Sequence, residues 1–245
     1  EAENQNGMAH FIEHTIFKGT VKRKAFHILT RLESVGGELN AFTTKEETCI
    51  FATFLIEHFH RALELVSDII SNPTFPEKEL KKEKDVILDE INSYKDNPAE
   101  EIYDLLEDNV FHGHALGKNI LGKPEHILNF TRDDVLHFIQ NHYSAGKMVV
   151  CTIGDLNFDK ISHQVEKFFE VFKADKPGTE RQLFSSYRPF NLKLPRTTFQ
   201  THCMIANVAY DRKDPRRFPL FLLNNILGGP AMNSRLNLAV RERHG

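Results

Sequence analysis

The chain has 245 residues, of which 40% are hydrophobic and 27% are charged, and its formal net charge is −3. This length allows one large domain or two of ordinary size, and the composition excludes a wholly disordered chain. Basic residues are mixed with acidic ones, so we expect no nucleic-acid partner. No apolar run reaches the roughly 20 residues that a membrane-spanning helix needs, so we expect no membrane span.

The cysteines Cys49, Cys151 and Cys203 are far apart in the sequence. Each lies in an apolar run of the kind that forms strands, which favours buried thiols. We therefore expect neither a disulfide framework nor cysteine ligands to a metal.

In chain order, residues 7–18 and 26–35 predict two helices, and Gly36-Gly37 ends the second. Residues 38–55 are rich in Phe, Thr and Ile without a helical period, which predicts two strands joined by a polar turn at Lys45 and Glu46. A helix over 57–71 follows, with its apolar residues on one face.

The next helix has the clearest boundaries, within 74–98. Thr74 and Glu77 have the spacing of a capping box, Pro76 suits the first turn, and Pro98 lies beyond the end. A loop with several glycines covers 111–127, between helices predicted over 99–110 and 131–141. A buried strand over 147–155 and a helix over 157–172 follow.

The composition then changes to Lys, Pro, Gly, Ser and Arg, which is typical of a linker. After it, a strand over 198–209 and a helix over 215–227 are predicted, and another helix ends near Gly245. We therefore expect an α+β fold with mixed or antiparallel sheets flanked by helices. The predicted divisions are a first domain over 1–175, a linker over 176–196 and a partial second domain over 197–245.

The segment 7-GMAHFIEHTIFKGT-20 has the residues for metal chemistry. Residues four apart share a helix face, so His10 and His14 point together and Glu13 lies beside them. Two imidazoles one turn apart can bind one zinc ion, and a neighbouring carboxylate can accept a proton from water at the metal. This H-x-x-E-H order is the reverse of the commoner H-E-x-x-H. The alternative is a charged helix face that happens to contain histidines.

A catalytic zinc needs a third protein ligand. Glu83 and Glu90 lie seven residues apart in 83-EKDVILDEI-91, so both project from one helix face, and either could instead be an ordinary solvated glutamate. His112 and His114 form a competing pair in a glycine-rich loop, with no third partner nearby. From the residues alone these alternatives stay open.

Several motifs in the same order resemble the pitrilysin/insulinase family of zinc peptidases, and especially its mitochondrial-processing-peptidase branch with the bacterial relatives. They are HFIEH with TIFKGT, 35-VGGELNAFTTKEET-48, 83-EKDVILDEINSYKDNP-98, 114-HALGKNILG-122, 148-MVVCTIGD-155, 200-QTHCMIANVA-209 and 227-LGGPAMNSRLNLAVRERHG-245. The resemblance thus covers almost the whole chain. In it, 75 residues lie between His14 and Glu90, as in the family pattern.

The resemblance implies specific roles for the residues that match. His10, His14 and Glu90 would bind one Zn²⁺ per chain, Glu13 would be the general base, and Glu83 would support the site without binding metal. The edge strand that holds an extended peptide substrate would include Leu39, Asn40, Ala41 and Phe42. Arg241 would contact the substrate bound by a facing half.

The resemblance also implies an activity and an assembly. The activity is zinc-dependent endoproteolysis of extended peptides, and the alternative is a non-catalytic scaffold subunit of a processing-peptidase-like complex. A homodimer or heterodimer would close two halves around a chamber. Family strands that precede the H-x-x-E-H helix, and a tyrosine after Arg241, have no counterpart here, so we expect a piece of a longer protein.

Overall fold

The computed structural model describes residues 1–155, 157–172 and 182–245, and its fold is α+β, rich in helix. The chain divides into two compact units, Glu1–Met204 and Ile205–Gly245. The first unit contains α1 (Met8–Thr15), α2 (Ala25–Glu33), β1 (Glu38–Thr43), β2 (Thr48–Thr53), α3 (Phe59–Ser71), α4 (Glu77–Lys95), α5 (Pro98–Val110), α6 (Pro124–Asn129), α7 (Arg132–His142) and α8 (Phe158–Phe169). The second contains α9 (Arg217–Gly228), a π-helical turn (Asn237–Arg241) and α10 (Glu242–His244).

Helix α1 is central to the first unit and is followed at once by a 3-10 turn over Ile16–Lys18. Its buried residues Met8, Phe11, Ile12 and Thr15 recur at helical spacing, so one face of α1 packs into the core. The helix begins after Gly7, whose φ of 94° lies in the left-handed region that favours glycine.

A close backbone approach fixes this start. A Cβ on Gly7 would lie 2.8 Å from the Cα of Gly122 and 2.8 Å from the carbonyl oxygen of Leu121. Only glycine allows the two segments to approach this closely, because any side chain at residue 7 would collide with backbone atoms. The N-terminus of α1 is thus packed against the loop that precedes α6.

Strands β1 and β2 form an antiparallel hairpin, with Glu38 opposite Thr53 and Thr43 opposite Thr48. The amide of Thr44 donates to the carbonyl of Glu47 at 2.8 Å and closes the turn. Two strands with a polar turn are therefore confirmed. The sheet in the described part of the chain has these two strands and is antiparallel, one of the two kinds of pairing that we expected.

Helix α4 packs against α1 through one face, where Leu80, Glu83, Ile87 and Ile91 are buried. The expected capping box is wrong: α4 begins after Pro76, and no side chain caps it. This start makes Glu77 the first helical residue, whereas a capping box needs the acidic residue at the third. Helix α7, in contrast, begins after Thr131, which forms a capping box with Asp134.

The core lies where α1, α2, α3, α4 and α7 meet the hairpin. Apolar side chains of these elements exclude water around α1 on several sides, which holds its polar face in a defined direction. The buried hydrophobic residues of this cluster are Met8, Phe11, Ile12, Ile16, Ile28, Leu32, Ala62, Leu65, Ile69, Phe75, Leu80, Ile87, Ile91, Leu121, Ile127, Phe130, Val135 and Phe138.

Two predicted strands are absent from the described residues. Segments 147–155 and 198–209 form no ladder, and Val149 and Ile153 are 92% and 98% exposed. A strand needs a hydrogen-bonded neighbour, and neither segment has one in the described part of the chain. For the same reason Cys151 and Cys203 are exposed thiols, which corrects the expectation of burial, while Cys49 on β2 is half-buried.

The predicted loop over 111–127 contains the start of a short helix, α6, which begins at Pro124. Proline is favoured at the first helical position because its missing N–H would have no partner there. Of the predicted linker over 176–196, residues 176–181 lie outside the described residues, and 182–196 contain neither helix nor strand. The domain boundaries at 175 and 197 stay predictions. No helix among the described residues is both long and apolar enough to cross a bilayer.

Candidate metal centre

Helix α1 places His10 and His14 together, one turn apart. Their ring centroids are 4.6 Å apart with an interplanar angle of 71°. His10 is 7% exposed and His14 is half-buried, so the pair lies at the rim of the core. This is the arrangement that i, i+4 spacing predicts for two residues on one helix face.

Helix α4 brings Glu90 to the two imidazoles. Oε2 of Glu90 lies 3.4 Å from Nε2 of His14 and 3.7 Å from Nε2 of His10. One ligand atom from each residue lies within 4.8 Å of the others, and these three form the one such group among the residues that the structure describes.

The donor set fits a zinc ion. Zinc binds imidazole nitrogen and carboxylate oxygen at about 2.05 Å, and tetrahedral geometry then separates neighbouring ligand atoms by about 3.3 Å. The two distances to Glu90, 3.4 and 3.7 Å, are close to that separation. Two nitrogens and one oxygen would leave a fourth position open, as in catalytic zinc sites.

The protonation of His10 also suits metal binding. Its pKa is lowered from 6.5 to about 4, first because burial disfavours the charged imidazolium, and second because His14 lies beside it, while Glu90 opposes the shift. His10 is thus neutral at physiological pH, and a neutral imidazole is the form that binds metal. Its Nδ1 is buried and has no hydrogen-bond partner in the described part of the chain.

Glu83 lies behind His14, two turns before Glu90 on α4. Its Oε2 is 3.3 Å from Nδ1 of His14, and its Oε1 is 2.7 Å from the ammonium of Lys18. A carboxylate on one imidazole nitrogen holds the proton there and directs the lone pair of the other nitrogen outward. Glu83 therefore contacts the nitrogen that faces away from Glu90, the position of a supporting residue.

Lys18 is a residue that the sequence reasoning missed. It follows His14 by four residues, so the spacing that paired His10 with His14 also places Lys18 one turn further along. That spacing was the available signal, but a single lysine after a helix is usually a solvated side chain.

Glu13 lies on α1 between the two histidines in sequence and is half-buried. Its Oε2 is buried and has no hydrogen-bond partner among the described residues. Tyr143 is nearby: burial raises the pKa of its hydroxyl to about 12, and the negative charge of Glu13 adds to the shift. Thr48 slightly opposes this shift, but the hydroxyl of Tyr143 makes no hydrogen bond of standard geometry with a described residue. Tyr143 was not singled out from the sequence.

Strand β1 packs against α1 and contains the four predicted substrate-binding residues. Leu39 and Ala41 are half-buried, whereas Asn40 and Phe42 are exposed. On one side β1 pairs with β2, and the structure shows no strand on its other edge among the described residues. This leaves backbone groups of β1 available to an added strand.

The remaining candidates are on other elements of the chain. Arg241 is in the π-helical turn of the second unit. His114 accepts a hydrogen bond from the amide of Leu116, and its Nε2 lies 3.0 Å from the carbonyl of Gln182, so both ring nitrogens have protein partners. Neither His112 nor His114 belongs to a metal-compatible group in the described part of the chain.

The chain is similar to known proteins along its whole length. The family model described as insulinase (peptidase family M16) matches residues 1–124, and the model described as peptidase M16 inactive domain matches residues 129–245. The uncharacterized zinc protease YmxG of Bacillus subtilis is 36% identical over 100% of this chain and 59% of its own length. The human mitochondrial-processing peptidase subunit beta is 32% identical over 100% of this chain and 52% of its own length.

Solved structures show the same fold. A peptidase M16 inactive domain from Pseudomonas fluorescens matches with a TM-score of 0.81 at 19% identity, covering 99% of this chain and 60% of that one. A protease from Helicobacter pylori matches with a TM-score of 0.67 at 25% identity, covering 77% and 45%. The chain spans 59% and 52% of the two curated relatives above. From these matches, the chain belongs to peptidase family M16, the insulinase family.

Proposed function

We propose that this chain carries the active site of a zinc-dependent endopeptidase that cleaves extended peptides. The observation that supports it best is the convergence of His10, His14 and Glu90 from two helices, with Glu13 on the same helix as the two histidines. Several relatives are named zinc proteases, which agrees with this choice of metal.

In this proposal one Zn²⁺ per chain is held by Nε2 of His10, Nε2 of His14 and a carboxylate oxygen of Glu90. When bound, zinc supplies Lewis acidity, which polarises a peptide carbonyl and lowers the pKa of water. The protein's part is to present neutral imidazoles and one carboxylate in a fixed geometry, and the lowered pKa of His10 keeps it in the required state.

Glu13 is the general base of the proposed reaction. Its carboxylate accepts a proton as water attacks the scissile carbonyl, and it later delivers that proton to the leaving amine. The buried Oε2 has no protein partner among the described residues, so this oxygen is free to bind the attacking water. Such a group contributes about 10²–10⁴-fold to the rate of a proton-transfer step.

The unpaired edge of β1 is the proposed binding surface for the substrate backbone. An extended peptide that adds to Leu39–Phe42 would gain main-chain hydrogen bonds with little demand on its sequence. The half-buried Leu39 and Ala41 and the exposed Asn40 and Phe42 point to opposite faces of the sheet, so alternate substrate side chains would meet different surroundings.

The proposed enzyme works as a homodimer or heterodimer whose second half closes over the site, where Arg241 of the facing half would contact the peptide. A relative named as the beta subunit of a processing peptidase supports such an assembly. The alternative function, a non-catalytic scaffold subunit, does not require Glu13 or the complete ligand set.

Two substitutions in the full-length protein test the proposal. Glu13→Gln removes the base but no ligand, so zinc content should stay at one per chain while cleavage of a fluorogenic peptide falls by about 10²-fold or more. Glu90→Gln removes a charged ligand and should weaken zinc binding by at least about tenfold. The matched control is Asp89→Asn, at an exposed position on α4, which should change neither quantity.

Zinc content and turnover together separate the two functions. A wild-type protein that binds zinc but cleaves no peptide, even with a facing subunit present, would favour the scaffold role. Full activity of the Glu13→Gln protein would refute the assigned base, and wild-type zinc content in the Glu90→Gln protein would refute the assigned ligand.

A further inference from the structure

A continuous line of polar contacts runs from Lys18 to the candidate metal position. Nζ of Lys18 lies 2.7 Å from Oε1 of Glu83, and Oε2 of Glu83 lies 3.3 Å from Nδ1 of His14. Nε2 of His14 in turn lies 3.4 Å from Oε2 of Glu90. Lys18 is therefore two residues removed from the metal and touches none of the proposed ligands directly.

Glu83 and Lys18 are both shielded from water, so the charge of Lys18 matters for keeping the Glu83 carboxylate in place. The side chain of Glu83 is 11% exposed and that of Lys18 is 29% exposed, so the ion pair is largely shielded from water. A carboxylate at this depth needs a positive partner or hydrogen-bond donors, because water cannot solvate it. Within the described part of the chain, Lys18 is the lysine or arginine that forms an ion pair with Glu83.

The two carboxylate oxygens of Glu83 contact different residues, and the two contacts together orient the plane of the carboxylate. Because Oε1 is held by Lys18, Oε2 is directed to His14. The imidazole of His14 then donates from Nδ1 and presents the lone pair of Nε2 toward Glu90 and His10. Without the lysine, the carboxylate would lose its anchor and could turn toward water.

We propose that Lys18 is a positioning residue of the metal centre, which holds Glu83 against His14 and thereby strengthens the binding of a divalent metal. This inference rests on the proposed zinc site, since it assigns a supporting role toward the same ligand. Substitutions of residues behind metal ligands typically reduce metal affinity about 10- to 100-fold. We expect an effect near the lower end, about tenfold, because Lys18 acts through one further residue.

The experiment is a double-mutant cycle in the full-length protein with zinc affinity as the readout, measured by competition with a chromophoric chelator. Lys18→Met should weaken zinc binding about tenfold. Lys18→Arg, which keeps the positive charge, should bind zinc nearly as tightly as the wild type. In the Glu83→Gln background, Lys18→Met should change the affinity less than twofold. Lys81→Met, at an exposed position on α4, is the control for the loss of one positive charge.

A second measurement needs no metal. Nitrogen-15 NMR of the ring of His14 in the metal-free protein should show the proton on Nδ1 in the wild type, and a mixture of tautomers in Lys18→Met. If Lys18→Met does not fold, Lys18→Gln gives the same comparison, because it removes the charge but keeps a polar side chain.

The outcomes are separable. If the wild type binds no zinc, the proposed function fails, and with it the metal-binding part of the inference. If the wild type and Lys81→Met bind zinc equally and Lys18→Met binds it as tightly, the positioning role is wrong while the proposed function stands. If Lys18→Met weakens binding as much in the Glu83→Gln background, Lys18 does not act through Glu83, and the inference is overturned.

Discussion

Acid should destabilise the metal-free protein through His10. The pKa of His10 is about 4 in the folded protein, compared with 6.5 for an unperturbed imidazole. A group whose folded pKa is depressed stabilises the fold above its unfolded pKa, and that contribution is lost as the pH falls. Between pH 6.5 and 4 the unfolded chain binds a proton at this imidazole that the folded protein resists.

The magnitude follows from the size of the shift. Each pKa unit corresponds to about 1.4 kcal/mol, so a shift from 6.5 to about 4 amounts to about 3 kcal/mol of unfolding free energy. This is a large part of the roughly 5–15 kcal/mol that stabilises a typical domain. The cause is chiefly the 7% exposure of His10, which leaves an added charge poorly solvated.

The assay is urea unfolding of dialysed, metal-free protein between pH 8 and pH 4, for the wild type and for His10→Gln. Groups remote from the site titrate alike in both proteins, so the difference between them reports His10 together with its interactions with His14 and Glu90. We expect the wild type to lose about 3 kcal/mol more than the variant over this range. Equal pH dependence in the two proteins would show that His10 is not buried as a neutral imidazole.

Two further predictions concern neighbours of the site. Gly7→Ala should destabilise the protein by about 1–3 kcal/mol and weaken zinc binding, because the added Cβ would lie 2.8 Å from backbone atoms at a φ of 94°. Thermal unfolding measures the first effect and a zinc titration the second. Unchanged values would contradict the close approach of the two backbone segments. Tyr143→Phe should change stability by no more than about 1 kcal/mol, because the buried hydroxyl makes no hydrogen bond of standard geometry with a described residue, and its contact with Thr48 falls short of one. A larger loss of stability would show that the hydroxyl is well bonded.

The parts of the fold that local sequence determines were predictable. Helices α1, α3 and α7 and the β1–β2 hairpin have strong periodicity or turn chemistry of their own, so short-range rules suffice. The errors came at 147–155 and 198–209, where an apolar run forms a strand only if another strand lies beside it. Pairing depends on distant segments, and no local pattern contains that information.

In the metal centre too, some residues were predictable from local sequence and others were not. His10, Glu13 and His14 lie on one helix, and their geometry follows from helical spacing alone. Lys18 and Tyr143 gain their importance only from what they meet in space, namely the carboxylate of Glu83 and the charge of Glu13. Tyr143 gave no signal in the sequence, and the i, i+4 spacing of Lys18 after His14 was too weak a signal to single it out, so the three-dimensional structure identified both.

The choice between Glu83 and Glu90 shows most clearly what packing adds. Both residues project from the same face of α4, so the helix itself does not distinguish a ligand from a supporting residue. Along α1 and the 3-10 turn after it, the contacts run from His10 to His14 to Lys18, while along α4 they run from Glu90 back to Glu83. The two helices are therefore antiparallel at the site, and their register sets Glu90 between the imidazoles and Glu83 between His14 and Lys18. If α4 slid two turns along α1 so that Glu83 took the place of Glu90, Glu90 would leave the site and no glutamate would lie between His14 and Lys18. The core residues that lock this register, Ile87 and Ile91 among them, thus determine the site as directly as the ligands do.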